Sequence, residues 1–333
     1  FDATYLAAKA SVASVEFRAA QADALARPAV NATAGATARQ DDPANSGRVG
    51  TNTLSAAVNG RYPLFNRANG LTIEQARKSL LVAQADLETA EQDLILRVAQ
   101  AYFDVLGAQD TLATTRANKT AITEVLASAK RNFEVGTATI TDTREAQARY
   151  DLVLAQEIAA ENDLRVKKLA LDQLVGKANV APKPLAAPVA LPALTPADPQ
   201  AWVSQAQTAH PAVLQASKAL EIAQLETRKA QAGHKPTLDL VGQYQVSRAP
   251  SNIQGVSGNV RSNNTSVGLQ FNMPLFAGYA IQNRVKQTLA LEEKARADLD
   301  SARRTVDLAT RSAYFGVLSG QGQVKALEAA EAS

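Results

Sequence analysis

Four stretches of the chain alternate apolar and polar residues with a period of two, and most of the rest follows the longer period of a helix. In the first stretch Val30, Ala32, Ala34, Ala36 and Ala38 stand against Asn31, Thr33, Thr37 and Arg39. In the second, Leu54, Ala56, Val58, Gly60, Tyr62 and Leu64 stand against Thr53, Ser55, Ala57, Asn59 and Arg61. The third sets Leu238, Leu240, Gly242, Tyr244 and Val246 against Thr237, Asp239, Gln243 and Gln245, and the fourth runs through Val267, Leu269 and Phe271. Alternation over about ten residues predicts strands long enough to cross a bilayer when tilted. The second and fourth strands reach Pro-Leu-Phe, at Pro63 to Phe65 and Pro274 to Phe276, and then give way to long helical patterns.

The helical stretches follow in a repeated order. Residues 1 to about 26 predict a helix that stops before Pro28, because a residue preceding proline is pushed out of the helical region. A first β-hairpin over 29–65 leads into a helix over 69–133, about 95 Å long at 1.5 Å per residue. Leu80, Leu87 and Leu94 are spaced by seven beside a row of Ala76, Ala83 and Ala90, the pattern of helices packed laterally as in coiled coils. Val135-Gly136-Thr137 breaks that helix, and a return helix follows over 139–175, with Thr139, Thr141 and Asp142 suited to its start. Residues 1–177 form a first structural repeat.

Six prolines between 178 and 200 (Pro182, Pro184, Pro188, Pro192, Pro196 and Pro199) mark a linker. Residues 201–333 then restart the order. A helix is expected from Pro199 to Gly233, bent near His210-Pro211, followed by a hairpin over 237–276 whose loop spans 250–264, and a long helix from 278. Ala101-Tyr102-Phe103-Asp104-Val105-Leu106 returns as Ala313-Tyr314-Phe315-Gly316-Val317-Leu318, an offset of 212. The chain is expected to stop before the second return helix.

Composition narrows the function. The net charge of +3 on 333 residues carries no basic run of the kind that nucleic-acid binding needs. No cysteine is present, the two histidines stand apart, and no nucleophile motif, phosphate loop or dinucleotide fingerprint occurs, so neither a metal, a cofactor nor an enzyme is expected. No 18-residue apolar stretch exists, which excludes a spanning helix but not a β-barrel. The N-terminal Phe1-Asp2-Ala3-Thr4 has no signal-peptide pattern. Four strands cannot close a barrel around anything, so strands in a membrane must come from several chains. The competing reading is an amphipathic sheet packed on helices, which leaves its edges open.

These residues resemble the TolC-like outer-membrane channel-tunnels over nearly the whole chain. The resemblance rests on the duplication, the strand endings Tyr62-Pro63-Leu64-Phe65 and Met273-Pro274-Leu275-Phe276, and the run from Asn132 through Asp142 followed by Ala146-Gln147. Tyr150 to Ala155 is similar to the family's return helix. The resemblance implies an α+β membrane protein in the outer membrane. Its homotrimer would join a twelve-stranded β-barrel, four strands per protomer, to a long antiparallel α-helical tunnel through the periplasm. It implies a passive exit duct for proteins of type I secretion or for drugs, served by an inner-membrane transporter and a periplasmic adaptor. A periplasmic adaptor or scaffold with a long helical hairpin and no channel is the alternative.

On the same resemblance Val135, Gly136 and Thr137 at the hairpin tip meet the adaptor, and Thr141 and Asp142 belong to the network that holds the entrance shut. Asp142 read alone is equally an acid placed to suit a helix dipole, and Gly136 a helix-ending glycine. Pro63, Phe65, Pro274 and Phe276 mark where barrel meets tunnel. The two phenylalanines there are either interfacial aromatics or plugs.

Overall fold

The computed structural model describes residues 2–41, 49–185, 191, 193–250 and 258–332. The turn Asp42 to Gly47, part of the second expected loop (251–257), Pro188, Pro192 and Ser333 lie outside the described residues. Helix α1 (Ala3–Asp23) and a short 3-10 turn lead into strands β1 (Ala29–Asp41) and β2 (Val49–Phe65). Helix α2 (Arg67–Glu134) is 68 residues long, and α3 (Ile140–Val175) returns from it. After the linker come α4 (Pro199–Ala209), α5 (Pro211–Gln231), β3 (Thr237–Pro250), β4 (Asn259–Asn272) and α6 (Ala280–Ala332).

Two departures from the sequence pattern have clear causes. The helix expected over 199–233 is two helices. The missing N–H of Pro211 removes a helical hydrogen bond, and His210, in extended conformation, caps α5 by accepting from the Ala212 N–H. The second hairpin is also displaced. β4 already begins at Asn259, inside the expected loop, because Asn259 to Ser266 pair through their main chain with β3 without needing apolar side chains. It ends at Asn272, so Pro274 and Phe276 lie beyond the strand.

The described residues fall into two compact units, and each draws on both halves of the sequence. One contains residues 1–10, 86–198 and 317–333. Here Val105, Leu112 and Leu126 of α2 and Ala146, Val153 and Leu171 of α3 are buried. Ion pairs tie the two helices together: Glu157 accepts from Arg116 Nε at 3.1 Å and from Lys119 Nζ at 2.5 Å, and Arg116 also reaches Glu161 at 2.6 Å. The Lys119 bond holds the Glu157 carboxyl below its ordinary value against the opposing effect of burial, with Arg116 assisting.

The other unit contains residues 11–85 and 199–316, and with them the sheet. Its strands run β1-β2-β3-β4, antiparallel throughout, so the hairpins of the two repeats meet at the central β2–β3 seam. Leu71 of α2, Leu225 of α5 and Ala232 form one buried cluster with Ala68 against it. Val213, Leu299 and Val306 form a second, packed on by Ala206, Ala212, Ala216 and Leu220. Leucines and valines form most of both buried centres, and mostly alanines pack around them, as an alanine-rich chain with close helix contacts allows.

Candidate functional site

The register of the sheet carries the functional argument. Val30 lies opposite Gly60, Gly60 opposite Gly242, and Gly242 opposite Val267, so one residue from every strand falls in the same row on the same face. The next rows on that face are Ala32–Val58–Tyr244–Thr265 and Tyr62–Leu240–Leu269. The other face carries Asn31–Asn59–Gln243–Ser266 and Thr33–Ala57–Gln245–Asn264. A one-residue slip at any seam would mix these sets.

On β2 exposure inverts the pattern of a water-soluble sheet, whereas β1 and β4 are exposed on both faces. Along β2 the apolar Leu54, Val58 and Tyr62 are exposed, while Thr53, Ser55 and Asn59 on the opposite face are half-buried. At the sheet's edges Val30 is 73% and Val267 77% exposed. Burying such side chains gains on the order of 25 cal/mol per Å², so a face left this open fits contact with lipid rather than water. Both β1 and β4 are edges, each paired on one side only among the described residues. Among those residues no helix is long and apolar enough to cross a membrane.

Each strand-to-helix junction has its own construction. In the first, β2 continues through Pro63 to Phe65 with a bulge, and only Asn66 separates it from α2. The Asn66 carboxamide oxygen accepts from the Asn69 N–H at 3.1 Å, a helix N-cap, and the Asn69 side chain donates to the Leu25 carbonyl at 2.8 Å. Beside Pro63, Arg61 Nη2 meets Asp239 Oδ2 at 2.6 Å. Asp239 is only 3% exposed, and its Oδ1 has no hydrogen-bond partner. In the second junction, residues Met273 to Tyr279 separate β4 from α6. Gly278 and Tyr279 both take left-handed backbone, at φ 55° and 64°, and Leu275 is 90% exposed. Phe276 and Tyr279 stack edge to face at 5.7 Å, and both are exposed, as is Phe65.

Below the junctions a charged clasp links the helices that leave them. Glu226 of α5 accepts from Gln75 of α2 at 2.9 Å and from Arg284 of α6 at 2.7 Å, and pairs with Lys229. Burial works to raise its carboxyl, and the bonds from Lys229, Gln75 and Arg284 overcome that and lower it to about 2.

At the hairpin tip, α2 ends in a Schellman motif: the Thr137 N–H bonds the Asn132 carbonyl at 2.8 Å, and Gly136 bonds Phe133 at 3.0 Å. Gly136 takes φ 80°, which any side chain would strain. Helix α3 opens with a capping box, in which the Thr139 hydroxyl accepts from the Asp142 N–H at 3.2 Å and Asp142 Oδ2 accepts from the Thr139 N–H at 2.8 Å. The bonds from the Thr139 backbone and hydroxyl hold the Asp142 carboxyl below its ordinary value. Val135, Gly136, Thr137, Thr141 and Asp142 are all exposed. Sequence reasoning missed Asp239 and Glu226. The signal for Asp239 was a single acid inside the alternation of β3. Glu226 carried none, since its partners come from two other helices.

An antiparallel sheet joined through both hairpins to helices of 68 and 53 residues is the architecture of an outer-membrane efflux protein. The model of the outer membrane efflux protein family matches residues 4–177 and 202–333, and the chain belongs to that family. It is 32% identical over 304 residues to the outer membrane protein TolC of Vibrio cholerae, covering 91% of this chain and 68% of that one. To the alkaline protease secretion protein AprF of Pseudomonas aeruginosa it is 30% identical over 272 residues, covering 80% and 56%. The chain spans 59% of the length of TolC from Escherichia coli. Its fold matches a membrane protein from Pseudomonas aeruginosa with a TM-score of 0.81 at 18% identity, covering 99% of this chain and 77% of the other. The Campylobacter jejuni CmeC outer membrane channel matches at 0.79 and 15% identity, covering 100% and 71%. The family is one of outer-membrane efflux channels and not of enzymes.

Proposed function

We propose that three copies of this chain each contribute four strands to one twelve-stranded barrel, and that the assembly is a passive exit duct for secreted proteins or drugs. The observation that carries this is the two-faced sheet, with aligned apolar rows on one face, aligned amides and hydroxyls on the other, and two open edges. Edge-to-edge closure of three such sheets satisfies the unpaired main-chain groups, which lipid cannot do. Twelve strands exceed the roughly eight that side chains alone fill, so a watery lumen follows. A secretion protein and TolC proteins among the relatives favour this over an adaptor.

In this reading Pro63, Phe65, Pro274 and Phe276 lie at the passage from barrel to helical tunnel. Val135, Gly136 and Thr137 offer a rigid tip to a periplasmic adaptor, and Thr141 and Asp142 take part in closing the entrance. An inner-membrane transporter supplies the energy and chooses the cargo. Purified protein should have a trimeric mass in detergent and conduct ions across planar bilayers. A monodisperse monomer soluble without detergent would refute the duct. Asp142→Ala should raise single-channel conductance well above the rise seen with Thr139→Ala, which breaks the same capping box but keeps the carboxylate. Equal effects from the two would reduce Asp142 to a cap.

A further inference from the structure

We propose that Arg248 and Arg261 form a binding site for a phosphate group on a phosphorylated glycolipid of the outer leaflet. The inference rests on the membrane-spanning reading above. The two arginines are direct cross-strand partners in the β3–β4 register. They also belong to the apolar face, since Arg248 continues Leu240, Tyr244 and Val246 along β3, and Arg261 continues Phe271, Leu269 and Val267 along β4. Like charges placed directly opposite each other on one face of a sheet repel, so something has to justify the arrangement. Both side chains are exposed, and neither has an acidic partner among the described residues. The nearest polar neighbours on their face are Asn259 and Asn263, which add amide donors and no negative charge.

Height places the pair. From Leu238 to Arg248 is ten residues, about 33 Å along the strand. A tilt of roughly 35–45° reduces that to about 25 Å, the thickness of the apolar band on an outer-membrane barrel. Leu238 stands at the helix end of the sheet, so Arg248 and Arg261 stand at the opposite boundary, where lipid headgroups begin. Two guanidinium forks a cross-strand spacing apart can converge on one phosphate, and the planar fork suits phosphate better than a lysine does. A phosphate there relieves the repulsion that the register imposes.

The test uses the trimer reconstituted in phosphatidylethanolamine nanodiscs doped with bisphosphorylated lipid A, with native mass spectrometry counting the lipid A retained on release. Wild type should retain it and should not retain dephosphorylated lipid A, and inorganic phosphate should fail to displace it. Arg248→Gln with Arg261→Gln should cut retention about tenfold or more. The double lysine variant, which keeps the charge and the fold, should fall between. Arg39→Gln, on the other face of β1, should leave retention unchanged. Equal retention by wild type and the double glutamine variant overturns the proposal, as does equal retention of the dephosphorylated lipid or displacement by inorganic phosphate. Failure of the wild type to insert as a trimer would instead count against the duct itself.

Discussion

The two junctions begin from nearly the same residues, Tyr62-Pro63-Leu64-Phe65 and Met273-Pro274-Leu275-Phe276, and adopt different backbones. The first stays in the sheet to its last residue and enters its helix through one capping asparagine. The second leaves the sheet before its proline and reaches its helix through two left-handed residues. The difference lies in the neighbours. β2 has already outrun β1, whose pairing ends at Arg61, but Asp239 and Leu238 of β3 still face Pro63 and Phe65. β4 is an edge strand, and β3, its one partner among the described residues, offers nothing beyond Thr237 opposite Asn272. A proline at a strand's end is tolerated in either place, so partner availability sets where the strand stops.

The largest effect should separate the leucines of the two junctions. Leu71, 1% exposed beneath the first, should cost about 3 kcal/mol on mutation to alanine in denaturant unfolding. Leu275→Ala should stay within about 0.5 kcal/mol in the same assay. A large loss at Leu275 would mean that assembly covers the second junction after all. Next comes the clasp that joins the two outgoing helices. Glu226 has a folded value near 2 against an ordinary 4.5, so its contribution is complete above pH 4.5 and is lost as pH falls toward 2. It should be on the order of 2 kcal/mol after allowing for solvent screening. Glu226→Gln should flatten the stability profile across that window, and an unchanged profile would separate the junctions energetically.

Arg61→Ala leaves the Asp239 carboxylate buried without its cation and should cost about 2 kcal/mol. Asp239→Ala leaves only a solvent-accessible guanidinium and should cost about half of that. Equal losses would show that packing, and not charge, holds the first junction. The smallest pair should differ in sign. Asn66→Ala removes a cap and should destabilise by about 1 kcal/mol. Tyr279→Gly relieves a left-handed backbone and should stabilise by about 0.5–1 kcal/mol, offset by whatever its contact with Phe276 provides.

Much of this was readable along the chain. Strand alternation gave the β2 face, Gly136 gave the tip, and Thr139 with Asp142 gave a helix start, because each rests on local geometry. The polar run Asn259 to Asn264 falls in the expected loop because alternation sees side chains, whereas the ladder that extends β4 is made by the main chain. The Arg248–Arg261 apposition was invisible for a related reason, since it depends on the register between two strands.

The sequence by itself determined the kinds of element, their duplication, and the two-faced character of the strands. These follow from periodicities of two and about 3.6 that act within a few residues. Tertiary structure alone decided that the two hairpins join through β2 and β3, that Arg61 meets Asp239 across 178 positions, and that one Pro-Leu-Phe ends a strand while the other follows one. Each of these depends on which main-chain groups and charges are left unsatisfied once distant segments come together, and no local pattern records that.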